Sequence, residues 1–319
     1  MSPRTIAVIG ATGNQGGGVV AALLASSSPT FTVHALTRNP SSESAKALLD
    51  KHREHADAGR LALTQADLDD RASLERALSG AEGVFAAFVE SQRETEQGKR
   101  LVDAAKTAGV NLFVYSTLPS LARLTKGKIT KATPFELKEP VAIYAEEQLP
   151  NVVFVAAGAF YSNFSSPFYA YRDSDDTVVF ASPLKEGSGH EFLDPSYDMG
   201  RYVAAIFSAP LAKVKGKTYA VSTQAQTLPQ IAEEYERATG EKAVARPRSL
   251  VEAVAAVAKD EQSKQMWTEM YTYLGSLPPG SRCYGAMKPE EDTAEQDLGV
   301  RASTLTEYLE RTGYRVPTK

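Results

Sequence analysis

The run Gly10-Ala11-Thr12-Gly13-Asn14-Gln15-Gly16 stands directly behind the short apolar segment Ile6-Ala7-Val8-Ile9. An extended strand, a glycine turn and a helix start are what a dinucleotide pyrophosphate needs. Backbone N–H groups at a helix N-terminus point at the phosphates, and the helix dipole favours their charge. One glycine permits the tight turn, one lets the backbone approach the phosphate, and one lets helix press on strand. The spacing alone is a weak signal; its place between strand and helix is the context the motif requires. A second apolar segment, 31–37, ends in Thr37-Arg38 rather than in Asp or Glu. A carboxylate there would hold a ribose 2′-hydroxyl and repel a 2′-phosphate, whereas a guanidinium binds that phosphate with two hydrogen bonds. These residues predict a Rossmann-type cofactor site that prefers NADP(H), with Arg38 at the 2′-phosphate. Asp67, after a third extended segment, reads either as an acceptor for the adenine amino group or as a helix N-cap.

The elements that must position these residues alternate along the chain. Strands are expected at 5–10, 31–37, 61–65, 83–88, 111–116 and 152–156, and helices at 14–24, 42–55, 72–78 and 94–108. That alternation predicts an α/β, doubly wound parallel sheet covered on both faces. Gly17 and Gly18 inside the first helix cost about 1 kcal/mol each relative to alanine, an expense that close approach of a ligand would explain. The second half is less regular: an aromatic stretch at 160–171, strands at 177–180 and 218–221, and helices at 198–206, from 227 to a stop at Gly240, 250–258 and 305–311. The expected organisation is a dinucleotide-binding domain over 1–157 and a smaller α+β, substrate-side domain over 158–319, with some segments returning to the first sheet.

With 319 residues, 43% hydrophobic and 23% charged, the composition is that of an ordinary globular protein. A net charge of −4 argues against a nucleic-acid surface. The single cysteine, Cys283, excludes an internal disulfide framework and fits a reducing compartment. No leader pattern opens the chain and no apolar stretch approaches a membrane span. The expected location is cytoplasmic, or nuclear for a regulator.

The glycine run, Thr37-Arg38-Asn39-Pro40, Gln97-Gly98-Lys99, Val114-Tyr115-Ser116, Phe135-x-x-Lys138 and Gly158-Ala159-Phe160-Tyr161-Ser162-Asn163-Phe164 occur in that order. Together they resemble the NmrA-like family, a branch of the atypical short-chain dehydrogenase/reductases. The resemblance implies that Gly10, Ala11, Thr12, Gly13, Asn14 and Gln15 cradle the pyrophosphate and that Asp67 and Leu68 border the adenine. It places Phe88 and Val89 beside the adenosine ribose or pyrophosphate, and Lys138 at the nicotinamide ribose. Gly158, Ala159, Phe160 and Tyr161 would line the nicotinamide face. One departure stands out: some relatives carry a second basic residue shortly after the arginine, where this chain has Pro40-Ser41-Ser42. The family does not fix one activity, since some members resemble redox sensors and others are NADPH-dependent reductases.

Ordinary short-chain reductases use Tyr-x-x-x-Lys, the lysine charge making the tyrosine a proton donor. Four residues before Lys138 stands Pro134, so that donor is absent. Tyr284-x-x-x-Lys288 matches by chance, because Gly285 and Pro289 oppose a helix there. Three candidates remain. Lys138 acts alone as general acid if burial depresses its pKa, or it only orients the ribose. Tyr161 protonates substrate, or belongs to the core. Ser116, with Thr117, places a hydroxyl on the substrate carbonyl, or satisfies a strand-end backbone group. The aromatics Phe160, Tyr161, Phe164, Phe168, Tyr169 and Tyr171 read as a flat pocket for an aromatic or quinone-like substrate, or as core. Trp267, Met270, Tyr271 and Tyr273 read as a lid or as helix packing. His190, Asp194 and Asp198 resemble a metal set only superficially; capping accounts better for Asp198, and no metal is expected. Two functions follow: an NADPH-dependent reductase of a small aromatic carbonyl, quinone or enone, and an NADPH/NADP⁺ sensor that regulates a protein partner.

Overall fold

Short runs of valine, isoleucine, phenylalanine and alanine build the central sheet, buried throughout at Gly83–Ala86, Leu112–Thr117 and Val152–Ala157. The computed structural model describes residues 3–88, 91–184, 187–278 and 280–318. Its strands in chain order are β1 (Arg4–Ile9), β2 (Phe31–Thr37), β3 (Leu61–Gln65), β4 (Gly83–Ala86), β5 (Leu112–Thr117) and β6 (Val152–Ala157). They continue with β7 (Ala159–Phe160), β8 (Ala170–Arg172), β9 (Val178–Ser182), β10 (Phe192–Leu193), β11 (Thr218–Val221) and β12 (Ala243–Pro247). Seven of them form one sheet in the order β11-β6-β5-β4-β1-β2-β3. Every neighbouring pair in it is parallel, with Ile6 between Val33 and Gly83 at the centre. This is the expected doubly wound architecture. The strand order reverses between β1 and β4, which opens a crevice at their carboxyl ends.

Both faces are covered, as continuous apolar strands require. On one face Val19, Val20, Leu23 and Leu24 of the Asn14–Ala25 helix pack with Met199, Val203, Ile206 and Phe207 of the Asp198–Ser208 helix. On the other, Leu74, Leu78, Leu101, Val102, Val141 and Ala145 do the same work. The helix expected over 42–55 is two, Glu43–Lys51 and Arg53–Asp57, broken at His52.

Gly18 has a packing reason rather than a ligand. A Cβ there would stand 2.5 Å from the Ser196 carbonyl oxygen, and one on Gly200 would stand 2.2 Å from that of Gly18. Two helices therefore touch backbone to backbone. Gly17 shows no such constraint, its nearest approach being 3.5 Å.

The second half returns β11 and the Asp198–Ser208 helix to the main sheet. It also builds a parallel β10-β7 pair and a mixed β12-β9-β8 sheet. The aromatic stretch is divided among separate cores. Tyr161 and Phe164 join Phe180, Phe192, Tyr235 and Tyr308. Phe168 packs with Phe135, Met270 and Tyr271 beneath the Leu250–Val257 and Glu261–Leu274 helices. Trp267 stacks on Tyr271 at 5.5 Å within that layer. No helix among the described residues is long and apolar enough to cross a membrane.

Candidate cofactor cleft

The glycine turn is built from backbone. Gly10 has φ +76°, and a Cβ on it would stand 2.5 Å from the Ala87 carbonyl oxygen beyond β4. The Gly13 amide donates to the Gly10 carbonyl at 2.9 Å and closes the turn. A Cβ on Gly16 would stand 2.2 Å from that same carbonyl, so the helix can press on the strand only with glycine there. Gly13 then starts the Asn14–Ala25 helix with no side-chain cap and no acidic residue in the first turn. A helix start normally recruits Ser, Thr, Asp or Asn for its orphan donors. Here Thr12, Gly13 and Asn14 are exposed while Ala11 is buried, so the first N–H groups of the helix and its positive dipole end face solvent. A pyrophosphate fits that donor set.

Gln15 ties the turn to the next wall. The Ser116 hydroxyl, at the end of β5, donates to Gln15 Oε1 at 2.7 Å. Two residues picked out for different tasks are thus one contact, and the Ser116 donor is directed at Gln15. The Thr117 hydroxyl turns to the Leu118 carbonyl at 3.4 Å.

Arg38 is exposed beyond β2, next to a turn in which Asn39 Oδ1 accepts the Ser41 amide at 3.0 Å. Asp67 is exposed beyond β3 and accepts the Asp69 amide at 2.9 Å. It is not the N-cap of the following helix. That place belongs to Asp70, whose Oδ1 accepts the Ser73 amide at 3.2 Å. Leu68 is half-buried, and its carbonyl accepts from Arg100 at 2.6 Å. Asp69 is neutralised by Arg93 at 2.6 Å and Arg100 at 3.2 Å. Phe88, half-buried after β4, meets Tyr115 edge-on at 5.7 Å. Val89 lies outside the described residues.

Lys138 stands immediately before the Glu139–Gln148 helix, and its ammonium pairs with the fully buried Glu94 carboxylate. The lone, desolvated amine that the acid role requires is not found. Burial, with the Glu94 charge nearby, pushes the Tyr115 phenol far above its usual range. Sequence reasoning missed Glu94, because a carboxylate in the first turn of a helix reads as an ordinary dipole partner.

Beyond β6, the Gly158 amide donates to Val221 at 3.2 Å and the Ala159 amide to Glu191 at 2.8 Å. Gly158 is buried, whereas Ala159 and Phe160 remain half-buried. Tyr161 is a correction. It is fully buried, donates to the Ser303 carbonyl at 3.2 Å, and stacks between Phe192 at 5.3 Å and Tyr308 at 5.1 Å. Burial pushes its phenol far up, so it neither lines the cleft nor donates a proton there. Asp198 is a second correction, for it caps nothing. Its carboxylate, fully buried, accepts the Asp194 amide at 2.8 Å, the Ser303 amide at 3.0 Å and the Ser303 hydroxyl at 2.7 Å, stapling two loops. A groove of about 930 Å³ opens beyond β11, lined by Gln226, Glu234, Arg237 and Arg301 among others. None of the glycine-turn residues lines it.

Known proteins resemble this chain in sequence and in fold. The chain is 31% identical over 312 residues to an NmrA-like family domain-containing oxidoreductase, hkm9, of Aspergillus hancockii, with 89% of each covered. It is 29% identical over 270 residues to a second such oxidoreductase, FrzB of a Cladobotryum species, with 74% of each covered. Among solved structures, NmrA, a negative transcriptional regulator crystallised with NAD, superposes with a TM-score of 0.78 at 20% identity, covering 98% of this chain and 95% of the other. An NADPH-dependent quinone oxidoreductase of Escherichia coli, crystallised with NADPH, gives 0.68 at 24% identity, with coverage of 97% and 100%. The model of the NmrA-like family matches residues 2–309, and the chain belongs to that family.

Proposed function

We propose that the chain binds NADP(H) along the carboxyl edge of the main sheet and is an NADPH-dependent oxidoreductase of small aromatic carbonyls, quinones or enones. The observation that carries this reading is the uncapped, acid-free start of the Asn14–Ala25 helix, fastened through Gln15 to Ser116. In this reading Gly10 to Gln15 hold the pyrophosphate, Arg38 the 2′-phosphate, and Asp67, Leu68 and Phe88 the adenosine. Lys138, fixed by Glu94, directs its ammonium at the nicotinamide ribose, while Ala159 and Phe160 border the ring. When bound, the nicotinamide supplies the hydride, and the protein orients it and keeps water away. Residues 1–157 serve the cofactor and 158–319 the substrate. Related proteins named as oxidoreductases support the redox reading, and a structural neighbour named for NADPH-dependent quinone reduction is the precedent for a quinone acceptor. Burial pushes the Cys283 thiol up to about 12, which leaves it protonated and inert.

A second reading is a sensor that binds a protein partner according to the NADPH/NADP⁺ ratio. Pro134 in the donor position and the paired state of Lys138 favour it. The deciding experiment follows NADPH absorbance against a panel of quinones, aromatic ketones and enones. Steady consumption is expected. Tight NADPH binding without turnover across the panel would transfer the case to the sensor.

A further inference from the structure

Tyr284 was set aside as a chance pattern, yet the fold brings it to the carboxyl edge of the main sheet. Its hydroxyl donates at 3.0 Å to the carbonyl of Ala157, the last residue of β6. Its ring meets Phe135 edge-on at 5.0 Å, and the Phe135 carbonyl accepts the Lys138 amide. It also borders a cavity of about 60 Å³ shared with Ala159, Leu184, His190 and Leu277. Tyr284 therefore stands between the strand end proposed for the nicotinamide and the turn that carries Lys138.

Its placement is enforced. Cys283, Tyr284 and Gly285 have φ of +51°, +55° and +82° in succession, a conformation unfavourable for side chains with a Cβ. The flanks impose it. Arg282 donates to Glu191 at 2.8 Å, to the Ser222 carbonyl at 3.2 Å and to Asp292 at 2.5 Å. The other Glu191 oxygen accepts the Tyr284 amide at 3.3 Å, and the Tyr273 hydroxyl donates to the Tyr284 carbonyl at 2.9 Å. Strain that is over-determined by its surroundings clusters where ligands are clamped.

We infer that Tyr284 forms the substrate-side wall of the cleft, its ring selecting a flat aromatic acceptor. This rests on the oxidoreductase reading above and names the residue that gives it specificity. Aromatic contact supplies the attraction, and the hydroxyl, bonded to the Ala157 carbonyl, holds the ring in place.

Calorimetric titration of 9,10-phenanthrenequinone into the full chain preloaded with NADP⁺ tests it. Both partners are oxidised, so binding is read without turnover. Wild type is expected to bind, and Tyr284→Phe, which keeps the ring, should stay within about threefold of it. Tyr284→Leu, which removes the ring, should weaken the quinone about tenfold. Affinity for NADP⁺ should stay within about twofold in both variants, which also shows that they fold. Equal quinone affinity in all three proteins overturns the wall, as does a parallel loss of NADP⁺ affinity, the mark of a merely structural residue. Wild type that binds NADP⁺ but no quinone, and consumes no NADPH with any acceptor, overturns the oxidoreductase reading and the wall with it.

Discussion

Arg38 and Lys138 sit among quite different surroundings, and their substitutions should fail in different ways. Arg38 is exposed, so its value lies in contact with a ligand rather than in the fold. A charge-assisted bidentate pair contributes about 1.5–3 kcal/mol. Arg38→Glu replaces that attraction with repulsion and is expected to raise the NADPH dissociation constant at least about tenfold while sparing NADH. Parallel titrations with both nucleotides check this, and equal loss for both would remove Arg38 from the 2′-phosphate. Lys138 instead faces a carboxylate that is fully buried. Breaking such a pair from one side costs about 3–5 kcal/mol, because a charge stays behind in a poor solvent. Lys138→Ala should therefore lower the urea midpoint sharply, and Lys138→Met combined with Glu94→Gln should recover most of the loss. A single variant as stable as wild type would show that water reaches Glu94 without effort.

Between residue and fold stands the contact of two helices at Gly18 and Gly200, where backbone touches backbone. Gly18→Ala drives a methyl to 2.5 Å from the Ser196 carbonyl and should destabilise by about 1–3 kcal/mol. Gly17→Ala, with its nearest neighbour at 3.5 Å, should stabilise by about 0.5–1 kcal/mol through helix propensity. Thermal unfolding of the two variants side by side measures the sign directly; a shift of the same sign in both would refute the close contact. The pair also marks what can be read from sequence at this scale. Strand positions were legible because runs such as Val152–Ala157 are apolar throughout, which only a strand covered on both faces tolerates. The glycine turn was legible because its chemistry is local backbone. The partner of Gly18 was not, since Ser196 comes from a distant loop. Tyr161 went astray for the same reason: its burial is decided by Ser303 and Tyr308, far along the chain. The strand Ala243–Pro247 and the four-residue helices Leu121–Leu124 and Thr133–Glu136 escaped because they are too short or too mixed to show a period.

Across the whole molecule, β11 ties the second half to the first, and buried polar groups tie the loops of the second half to one another. Asp198 staples the loops at 194 and 303, and Arg282 joins Glu191 to Asp292. Such joints make stability depend on pH, and the signs differ. Burial raises Asp198, and raises Glu191 despite Arg282, so in the acid range both bind protons more readily folded than unfolded and favour the fold as pH falls. His190 opposes them. It stacks on Phe192 at 6.0 Å, and burial lowers its imidazole from 6.5 to about 4. Between those values the unfolded chain holds the extra proton, so this contribution is present above about pH 6.5 and is lost on the way down to about 4. A shift of that size corresponds to about 3 kcal/mol. Wild type should therefore lose more stability between pH 7 and 4.5 than His190→Gln, in which Asp198 and Glu191 still act but the imidazole does not. Urea unfolding of both proteins at the two pH values isolates the term. Identical losses would mean that His190 meets water before the molecule unfolds, and that its surroundings in the second half open locally.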